Sequence, residues 1–198
     1  MKLPLLYLLR HGQTEWNAAG RFQGQMNSDL TKVGQGHAAA QGRLLGPIFE
    51  QFPNIDIYGS PLGRVRETAQ IALADHRREP ILNDDLKEID FGNWESLTKS
   101  EIEAGWPDLF NAGQTDMDLY LFSPSGETYD DMHLRCHRFL SGLTQPAVIF
   151  SHGLTITFLR KIALSLSYEE FAQLSRQQGC IYVIEDGQET LLTEAKPS

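Results

Sequence analysis

The chain has 198 residues, of which 41% are hydrophobic and 22% charged, and its net charge at pH 7 is −9. This length and composition predict a single folded domain over residues 1–198 with an ordinary hydrophobic core. The negative charge argues against nucleic acid as a partner, because such binding rests on neutralisation of phosphates by Lys and Arg, and no apolar run approaches the roughly 20 residues of a membrane-spanning helix.

The first apolar run, residues 3–9, predicts a strand. It is broken by Pro4 and has neither a basic leader nor a small-residue cleavage site, so we expect a cytoplasmic protein. The run ends at Arg10 and His11, which are followed by a glycine. In an open α/β sheet, ligands bind outside the carboxyl ends of the strands, which places both residues where chemistry is usually done.

Strand-length apolar runs alternate with longer periodic segments along the rest of the chain, which is typical of an α/β sheet. Thr31 is the predicted cap of the first long helix, and that helix is weakened by Gly34 and Gly42, among other glycines. Further strands are predicted near residues 55–59, 80–82, 147–151 and 180–185, with a short edge strand near 189–193. Helices are predicted near residues 32–50, 62–75, 126–141 and 154–164, with one or two short ones between 98 and 112 and another near 168–175.

Three later segments place polar groups at the same edge of the predicted sheet. The second strand is followed by Ser60-Pro61-Leu62-Gly63-Arg64, so Arg64 falls in the first turn of the next helix, where backbone N–H groups also point outward. The strand at 147–151 ends on His152, and we expect the two histidines to face one pocket. Glu88 lies on a loop among apolar and aromatic residues, where a buried carboxyl group can donate a proton.

Residues 113–125 are predicted to be an excursion over the sheet, and we expect a substrate-covering insertion near residues 95–125. There is no Lys or Arg between Lys99 and Arg135. A second phosphate or a carboxylate on the substrate would therefore find no obvious cation in the cover, and an unpaired buried charge is costly. The prominent side chains of the segment are acidic or aromatic, namely Asp108, Asp116, Asp118, Trp106, Tyr120 and Phe122.

Four motifs in order resemble those of the histidine phosphatase superfamily, and in particular its phosphoglycerate mutase-like branch. They are Arg-His-Gly after the first strand, Ser-Pro-Leu-x-Arg after the second, a Glu upstream of Phe-Gly-x-Trp-Glu, and a late Ser-His-Gly. The resemblance runs from about residue 5 to residue 165. It implies a three-layer αβα sandwich with a mostly parallel central sheet. It also implies a phosphomonoesterase without metal or other cofactor that acts on a small phosphorylated metabolite.

The resemblance further implies roles for residues of this sequence. His11 looks like the nucleophile that becomes phosphorylated, and Glu88 looks like the proton donor. The residues that resemble the phosphoryl pocket are Arg10, Arg64 and His152, with Asn17, Gln23 and the backbone at Gly153 lining the same pocket.

The chemistry favours these residue types independently of any family. A phosphoryl group in transfer spreads negative charge over three oxygens, so two guanidinium groups and a second imidazole supply the fixed positive field that it needs. An imidazole can attack as a neutral nucleophile near pH 7, and its other ring nitrogen then needs a hydrogen-bond acceptor such as a backbone carbonyl. A carboxylic acid must protonate a poor alkoxide leaving group and can afterwards activate water.

Some residues have competing interpretations. Asp90 and Glu95 are rivals of Glu88 for the role of proton donor. A predicted helix brings a possible ligand set onto one face, but its apolar neighbours favour the edge of a buried stripe over a metal site; the set is His133, Cys136 and His137. The two cysteines, Cys136 and Cys180, are too few and too far apart for a disulfide framework and are expected to be reduced.

The pattern leaves the substrate open. Leu154 stands where a cofactor-dependent mutase is expected to have an asparagine, so a phosphatase is favoured and a cofactor-dependent phosphoglycerate mutase is the alternative. The Phe-Gly-x-Trp-Glu segment also resembles α-ribazole phosphatases. A phosphate-binding module without turnover is the alternative from another class. Small enzymes of this kind are often symmetric dimers, so a homodimer is a further expectation, for which the pattern locates no interface.

Overall fold

A central sheet organises residues 3–113 and 115–194, the part of the chain that the computed structural model describes. Its strands are β1 (Leu6–Arg10), β2 (Asp56–Gly59), β3 (Ile81–Leu82), β4 (Ala147–Ser151), β5 (Ile181–Glu185) and β6 (Gln188–Leu192). They lie in the order β3-β2-β4-β1-β5-β6. The pairs among β1 to β4 are parallel, whereas β5 and β6 pair antiparallel. The mostly parallel sheet is therefore confirmed.

Helices cover both faces of this sheet. In the described residues they are α1 (Glu15–Ala18), α2 (Lys32–Gln51), α3 (Gly63–Leu73), α4 (Lys99–Gly105), α5 (Pro107–Ala112), α6 (Asp116–Leu121), α7 (Tyr129–Ser141), α8 (Gly153–Leu164) and α9 (Tyr168–Ala172). Helices α2 and α3 pack on one face, and α7 and α8 pack on the other. The chain is thus a three-layer αβα sandwich, as expected.

Each face of the sheet has its own apolar core, because successive side chains of a strand point to opposite sides. In β1, Leu6 and Leu8 belong to the core under α7 and α8, while Tyr7 and Leu9 belong to the core under α2 and α3. All five residues of β4 are buried. Burial on both faces explains why these strands are nearly continuous apolar runs in the sequence.

Close backbone approaches account for two of the glycines that weaken α2. A Cβ atom at Gly42 would lie 2.6 Å from the carbonyl oxygen of Ala72 on α3, and one at Gly34 would lie 2.0 Å from the carbonyl oxygen of Gln13. Thr31 caps the helix as predicted, since its side chain accepts the Gly34 N–H at 3.0 Å. The glycines lower the intrinsic helix propensity of α2, but they allow its backbone to contact α3 and the loop after β1 closely.

The structure corrects the sequence prediction in three places. No helix was predicted within the excursion at residues 113–125, where α6 forms. The helix predicted from residue 126 begins at Tyr129, with Thr128 and Asp131 forming a reciprocal cap. The short helix α1 was not predicted at all.

Two further observations concern the cysteines and the length and polarity of the helices. Cys136 and Cys180 are both free and buried. Among the described residues, no helix combines the length and the apolar character needed to cross a bilayer.

Candidate active site

The carboxyl ends of three parallel strands meet at one edge of the sheet. Arg10 and Ser151 are direct partners at the ends of β1 and β4. The pairing continues past the strand ends, where the His11 N–H donates to the Ser151 carbonyl at 3.0 Å and the Ser60 N–H donates to the Phe150 carbonyl at 3.0 Å. The residues that follow β1, β2 and β4 are therefore held side by side.

A cavity of about 520 Å³ opens at this edge. The residues predicted from the sequence that line it are Arg10, His11, Asn17, Gln23, Arg64, Glu88 and Gly153. His152 does not line the cavity. It is completely buried and packs against His11, with the two ring centroids 5.3 Å apart. The structure thus brings together all eight residues proposed for the site.

Two hydrogen bonds fix the tautomer of His11. Nδ1 lies 2.7 Å from the carbonyl oxygen of Gly12 and so carries the ring proton. Nε2 accepts the Nε–H of Arg64 at 3.3 Å and so has its lone pair on the cavity side. The backbone carbonyl that the sequence analysis called for is that of Gly12, whose own N–H donates to Thr68 Oγ1 at 3.0 Å.

The environment of His11 also keeps the imidazole neutral. Burial lowers its pKa well below the usual value, and the positive charges of Arg64 and Arg10 lower the pKa further. The hydrogen bond to Gly12 acts in the opposite direction. A neutral imidazole in a fixed orientation is what nucleophilic attack requires.

Arg64 is held by three acceptors at once. Besides its contact with His11, it donates through Nη1 to the Met26 carbonyl at 2.7 Å and through Nη2 to the Gly24 carbonyl at 2.7 Å. Burial lowers the pKa of Arg64 to about 10, which leaves the side chain charged at neutral pH. A planar guanidinium group with several N–H donors suits these three acceptors.

Arg10 points into the cavity from the end of β1. Its Nη1 donates to the carbonyl oxygen of Arg176, while its buried Nε has no hydrogen-bond partner in the described residues. A Cβ atom at Gly153 would lie 3.2 Å from Arg10 Cζ, so the glycine lets the guanidinium group rest against the first turn of α8. Burial lowers the pKa of Arg10, and the charge of Arg176 adds to this effect.

The two ring nitrogens of His152 differ, because only one of them has a hydrogen-bond partner among the described residues. Nε2 contacts Ser60 Oγ at 2.8 Å, and Nδ1 is buried without a partner in the described part of the chain. Burial lowers the pKa of His152 well below its usual value, with Arg64 adding to the effect. When the Ser60 hydroxyl donates to Nε2, the ring proton lies on Nδ1, where it can donate to an anion.

Glu88 is held by four donors, three of which belong to the first turn of α8. Oε1 accepts from the amides of Ile89 and Thr155 and from the Thr155 hydroxyl, each at 3.1 Å. Oε2 accepts only the Leu154 amide, also at 3.1 Å. Oε2 therefore retains a free position for a proton. The Leu154 and Thr155 amides, which orient the carboxyl group, follow His152 closely in the chain.

The two rival carboxylates have other contacts and do not line the cavity. Asp90 accepts the Gly92 N–H at 2.7 Å and so holds a turn. Glu95 accepts the Gln25 N–H, and burial raises its pKa. Geometry therefore favours Glu88 among the three residues.

Asn17 and Gln23 both line the cavity, but their side-chain amides have different hydrogen-bond partners. Gln23 donates to Thr14 Oγ1 at 2.6 Å and accepts from the Ser28 hydroxyl at 3.3 Å, so its amide ties the loop together. The oxygen of Asn17 accepts from the Thr14 N–H and from Gln178 Nε2, each at 3.3 Å. Because its oxygen is occupied, Asn17 offers its NH₂ group to the cavity.

Several cavity residues come from distant segments and had no predicted role in the site, although Tyr120 lies in the expected cover. Arg21, Lys99, Tyr120 and Arg176 line the cavity, and Gln178 donates to the His11 carbonyl at 3.0 Å. Residues 173–180, which connect α9 to β5, carry no recognisable motif. For Tyr120 a signal existed, because the reciprocal cap of Thr115 and Asp118 marks the start of α6.

The histidines and cysteine of α7 lie apart from this cavity. Cys136 is buried in the core under α7 and α8, and burial raises the pKa of its thiol to about 12. His133 stacks on Tyr129 with ring centroids 6.1 Å apart. Cys136 thus packs in the core and His133 at its edge, as the buried-stripe interpretation predicts, whereas His137 is exposed.

Comparison with known proteins gives a consistent result. The model of the histidine phosphatase superfamily (branch 1) matches residues 6–194. Glucosyl-3-phosphoglycerate phosphatase of Mycolicibacterium vanbaalenii is 31% identical over 188 residues, covering 88% of this chain and 80% of the relative. "Probable phosphoglycerate mutase GpmB" of Cronobacter sakazakii is 33% identical over 173 residues, with 81% and 75% covered.

A plant relative and a solved structure extend the comparison. Metal-independent phosphoserine phosphatase of Arabidopsis thaliana is 37% identical over 131 residues, covering 64% of this chain and 52% of the relative. The crystal structure of the α-ribazole phosphatase from Shigella flexneri superposes with a TM-score of 0.79 at 24% identity, covering 96% of this chain and 94% of that one. At this identity, the superposition speaks for the fold alone.

Proposed function

Because the chain belongs to the histidine phosphatase superfamily (branch 1), we propose that it is a metal-independent phosphomonoesterase that acts on a small phosphorylated metabolite. Membership and the names of the relatives support an enzyme of the phosphatase or mutase type. The specific step that we propose is the transfer of a phosphoryl group to His11, followed by hydrolysis of the phosphohistidine.

One observation carries this proposal. The Nε2 atom of His11 accepts the Arg64 Nε–H, and Nδ1 is committed to the Gly12 carbonyl. The ring is therefore neutral and oriented beside two buried guanidinium groups. That combination supports attack on phosphorus, because the nucleophile and the positive field are both in place before the substrate arrives.

In the first half-reaction, His11 Nε2 forms a bond to phosphorus while the bond from phosphorus to the ester oxygen breaks. The negative charge on the phosphoryl oxygens would be stabilised by Arg10, Arg64 and His152 Nδ1–H. Glu88, protonated on Oε2, gives its proton to the departing alcohol. The NH₂ group of Asn17 and the N-terminus of α8 at Gly153 add further donors to the same group.

In the second half-reaction, the Glu88 carboxylate takes a proton from water as the water oxygen attacks phosphorus. The bond between phosphorus and His11 Nε2 breaks, and the imidazole leaves with its lone pair and the Nδ1 proton unchanged. Inorganic phosphate is released, and Glu88 is protonated again for the next turnover. All the required groups are side chains of this protein, so the scheme needs no added cofactor.

The position of Leu154 favours hydrolysis over mutase chemistry. Leu154 contributes to the cavity wall and is almost completely buried in the apolar core under α7 and α8, so this position offers no polar side chain where a mutase is expected to have a contact to its substrate. We propose that residues 95–125 form the cover of the substrate, with Tyr120 in the cavity wall. The alternative is a cofactor-dependent mutase, for which the relative named as a phosphoglycerate mutase speaks; an α-ribazole phosphatase-like enzyme and a binding module without turnover are further alternatives.

The experiment that tests the proposal is hydrolysis of p-nitrophenyl phosphate in the presence of a chelator by the wild type and His11→Ala, with 3-phosphoglycerate isomerisation followed in parallel. We expect chelator-resistant hydrolysis that is lost in the variant, and acid-labile labelling of the wild type only. Isomerisation with little hydrolysis would favour the mutase, and neither activity would favour the binding module.

We also propose a cytoplasmic enzyme that works as a homodimer. The two free, buried cysteines fit a reducing compartment. Cell fractionation tests the location. Light scattering tests the dimer, and a monomer mass at micromolar concentration would refute it.

A further inference from the structure

The cavity contains three cations beyond Arg10 and Arg64, and they differ in their contacts. Lys99 Nζ lies 2.7 Å from a carboxylate oxygen of Asp116. Arg21 Nη1 lies 3.1 Å from a carboxylate oxygen of Glu101. Arg176 makes no ion pair within the described residues, and its Nη1 is buried with no hydrogen-bond partner there. A buried donor without a partner is costly, so the position of Arg176 calls for an explanation.

Arg176 is held in place on two sides. Its carbonyl oxygen accepts a hydrogen bond from Arg10 Nη1, which fixes the backbone of residues 173–180 next to the end of β1. Its guanidinium carbon lies 5.1 Å from the ring centroid of Tyr120 on α6. Tyr120 in turn packs against Phe22, with the ring centroids 5.3 Å apart. The side chain is therefore positioned between the phosphoryl pocket and the cover before any ligand binds.

From this arrangement we infer that Arg176 binds a second anionic group of the substrate, a carboxylate, while the phosphoryl group is held by Arg10 and Arg64. This inference rests on the proposed function, since it assigns the remainder of the same substrate. A guanidinium group is well suited to a carboxylate because its N–H donors match the two oxygens.

The charges around Arg176 explain why the group is a carboxylate and not a second phosphate. Lys99 and Arg21 each pair with an acidic side chain, so Arg176 is the remaining cation, besides Arg10 and Arg64, among the described residues that line the cavity. One free positive charge balances the single charge of a carboxylate. A second phosphate, with nearly twice that charge, would find no further unpaired cation among these residues.

The sequence predicts no cation in the cover for a substrate carboxylate. The cover does lack arginine and lysine between Lys99 and Arg135. The cation comes instead from residues 173–180, which precede β5, a neighbour of β1 in the sheet. A substrate with a carboxylate therefore has a partner that the sequence of the cover did not reveal.

The test uses two pairs of phosphate esters that differ chiefly in one carboxylate. They are 3-phosphoglycerate with glycerol 3-phosphate, and O-phosphoserine with phosphoethanolamine. Each is measured as a competitor of p-nitrophenyl phosphate hydrolysis, and binding to His11→Ala protein is measured by calorimetry. In the protein with Arg176 intact, we expect the carboxylated member of at least one pair to bind 10-fold or more tightly. In Arg176→Met the advantage should fall below 3-fold.

Arg21→Met is the matched control, because it removes an ion-paired cation of the same cavity, and it should keep the advantage. Equal binding within both pairs, or an equal loss for both members of each pair in Arg176→Met, would overturn the inference. So would a larger Arg176-dependent gain for fructose 1,6-bisphosphate over fructose 6-phosphate. Absence of p-nitrophenyl phosphate hydrolysis would instead count against the proposed function, while the calorimetric ratios would still decide the role of Arg176.

Discussion

The Nε–H of Arg64 points at Nε2 of His11 from a distance of 3.3 Å, so the candidate nucleophile and a candidate phosphoryl ligand are each other's partners in the unliganded site. In the proposed reaction, an arriving phosphoryl group replaces this contact, since it offers oxygens to the arginine and phosphorus to the histidine. Until then, the arginine occupies the lone pair of the imidazole and keeps the ring from being protonated.

Replacing Arg64 by lysine should be far from conservative. A single ammonium group cannot reach His11 and the carbonyls of Met26 and Gly24 together. We expect kcat/KM for p-nitrophenyl phosphate to fall about 100-fold or more, and the free energy of unfolding to fall by about 1–3 kcal/mol because buried carbonyls lose donors. Arg66→Lys, an exposed position on the same helix, is the control. A loss of under threefold in Arg64→Lys would show that charge alone suffices.

Replacing Glu88 by glutamine should change the ratio of activities toward alkyl and aryl phosphates. An alkoxide leaves poorly without a proton, whereas p-nitrophenolate does not need one. We expect a loss of about 100-fold or more for glycerol 3-phosphate and a much smaller loss for p-nitrophenyl phosphate. Asp90→Asn and Glu95→Gln should keep the wild-type ratio. If one of these two changes the ratio and Glu88→Gln does not, the proton donor has been misassigned.

Stability should decrease as the pH falls below about 6.5, the ordinary pKa of histidine. Burial holds the pKa values of His11 and His152 well below that value in the folded protein, so over this range only the unfolded chain takes up their protons. The free energy of unfolding should then fall by up to about 1.4 kcal/mol per pH unit for each histidine, and the slope from these two groups should be about half of that at pH 6.5 and close to zero by about pH 7.5.

Urea titrations between pH 5 and 7.5 measure this slope. His152→Asn should remove about half of the contribution of the pair. His137→Gln, at an exposed position of α7 outside the candidate site, is the control variant. A wild-type stability that is flat over this range would mean that the two imidazoles become protonated in the folded protein as easily as in the unfolded chain.

Two glycine substitutions test how tightly the site is packed. In Gly153→Ala the new Cβ atom would approach Arg10 Cζ to 3.2 Å, so the guanidinium group must shift. We expect kcat/KM to fall about 10-fold, because small displacements of positioning groups are expensive. Gly36→Ala on α2 meets open space and should raise the free energy of unfolding by about 0.4–1 kcal/mol without affecting activity. Unchanged kinetics in Gly153→Ala would show that Arg10 tolerates the shift.

The layers of the fold and the central strands could be predicted because burial leaves a local trace in the sequence. The runs that became β1 and β4 are apolar throughout, since both faces of the sheet are covered. Helix α6 was missed because acidic and aromatic residues obscure its periodicity. Only its cap, formed by Thr115 and Asp118, marked its start.

The candidate site could be predicted as far as its residues follow strand ends. Arg10, His11 and His152 lie where parallel strands stop, and the physics of an open sheet favours ligand binding at that edge. Arg176 and Gln178 could not be found in this way. They contact residues more than 160 positions earlier in the chain, and no local pattern encodes such a contact.

The central place of β1 has a consequence for the order in which the protein assembles during synthesis. Arg10 and His11 emerge from the ribosome early, but the neighbours of β1 in the sheet, β4 and β5, are separated from it by most of the chain. The carbonyl group that holds Arg10 and the side-chain amide that holds Asn17 belong to residues 176 and 178, which arrive later still. On the proposed function, affinity for phosphate would develop only when nearly the whole chain has folded, so we expect a bound phosphate to stabilise the finished protein and none of its nascent forms.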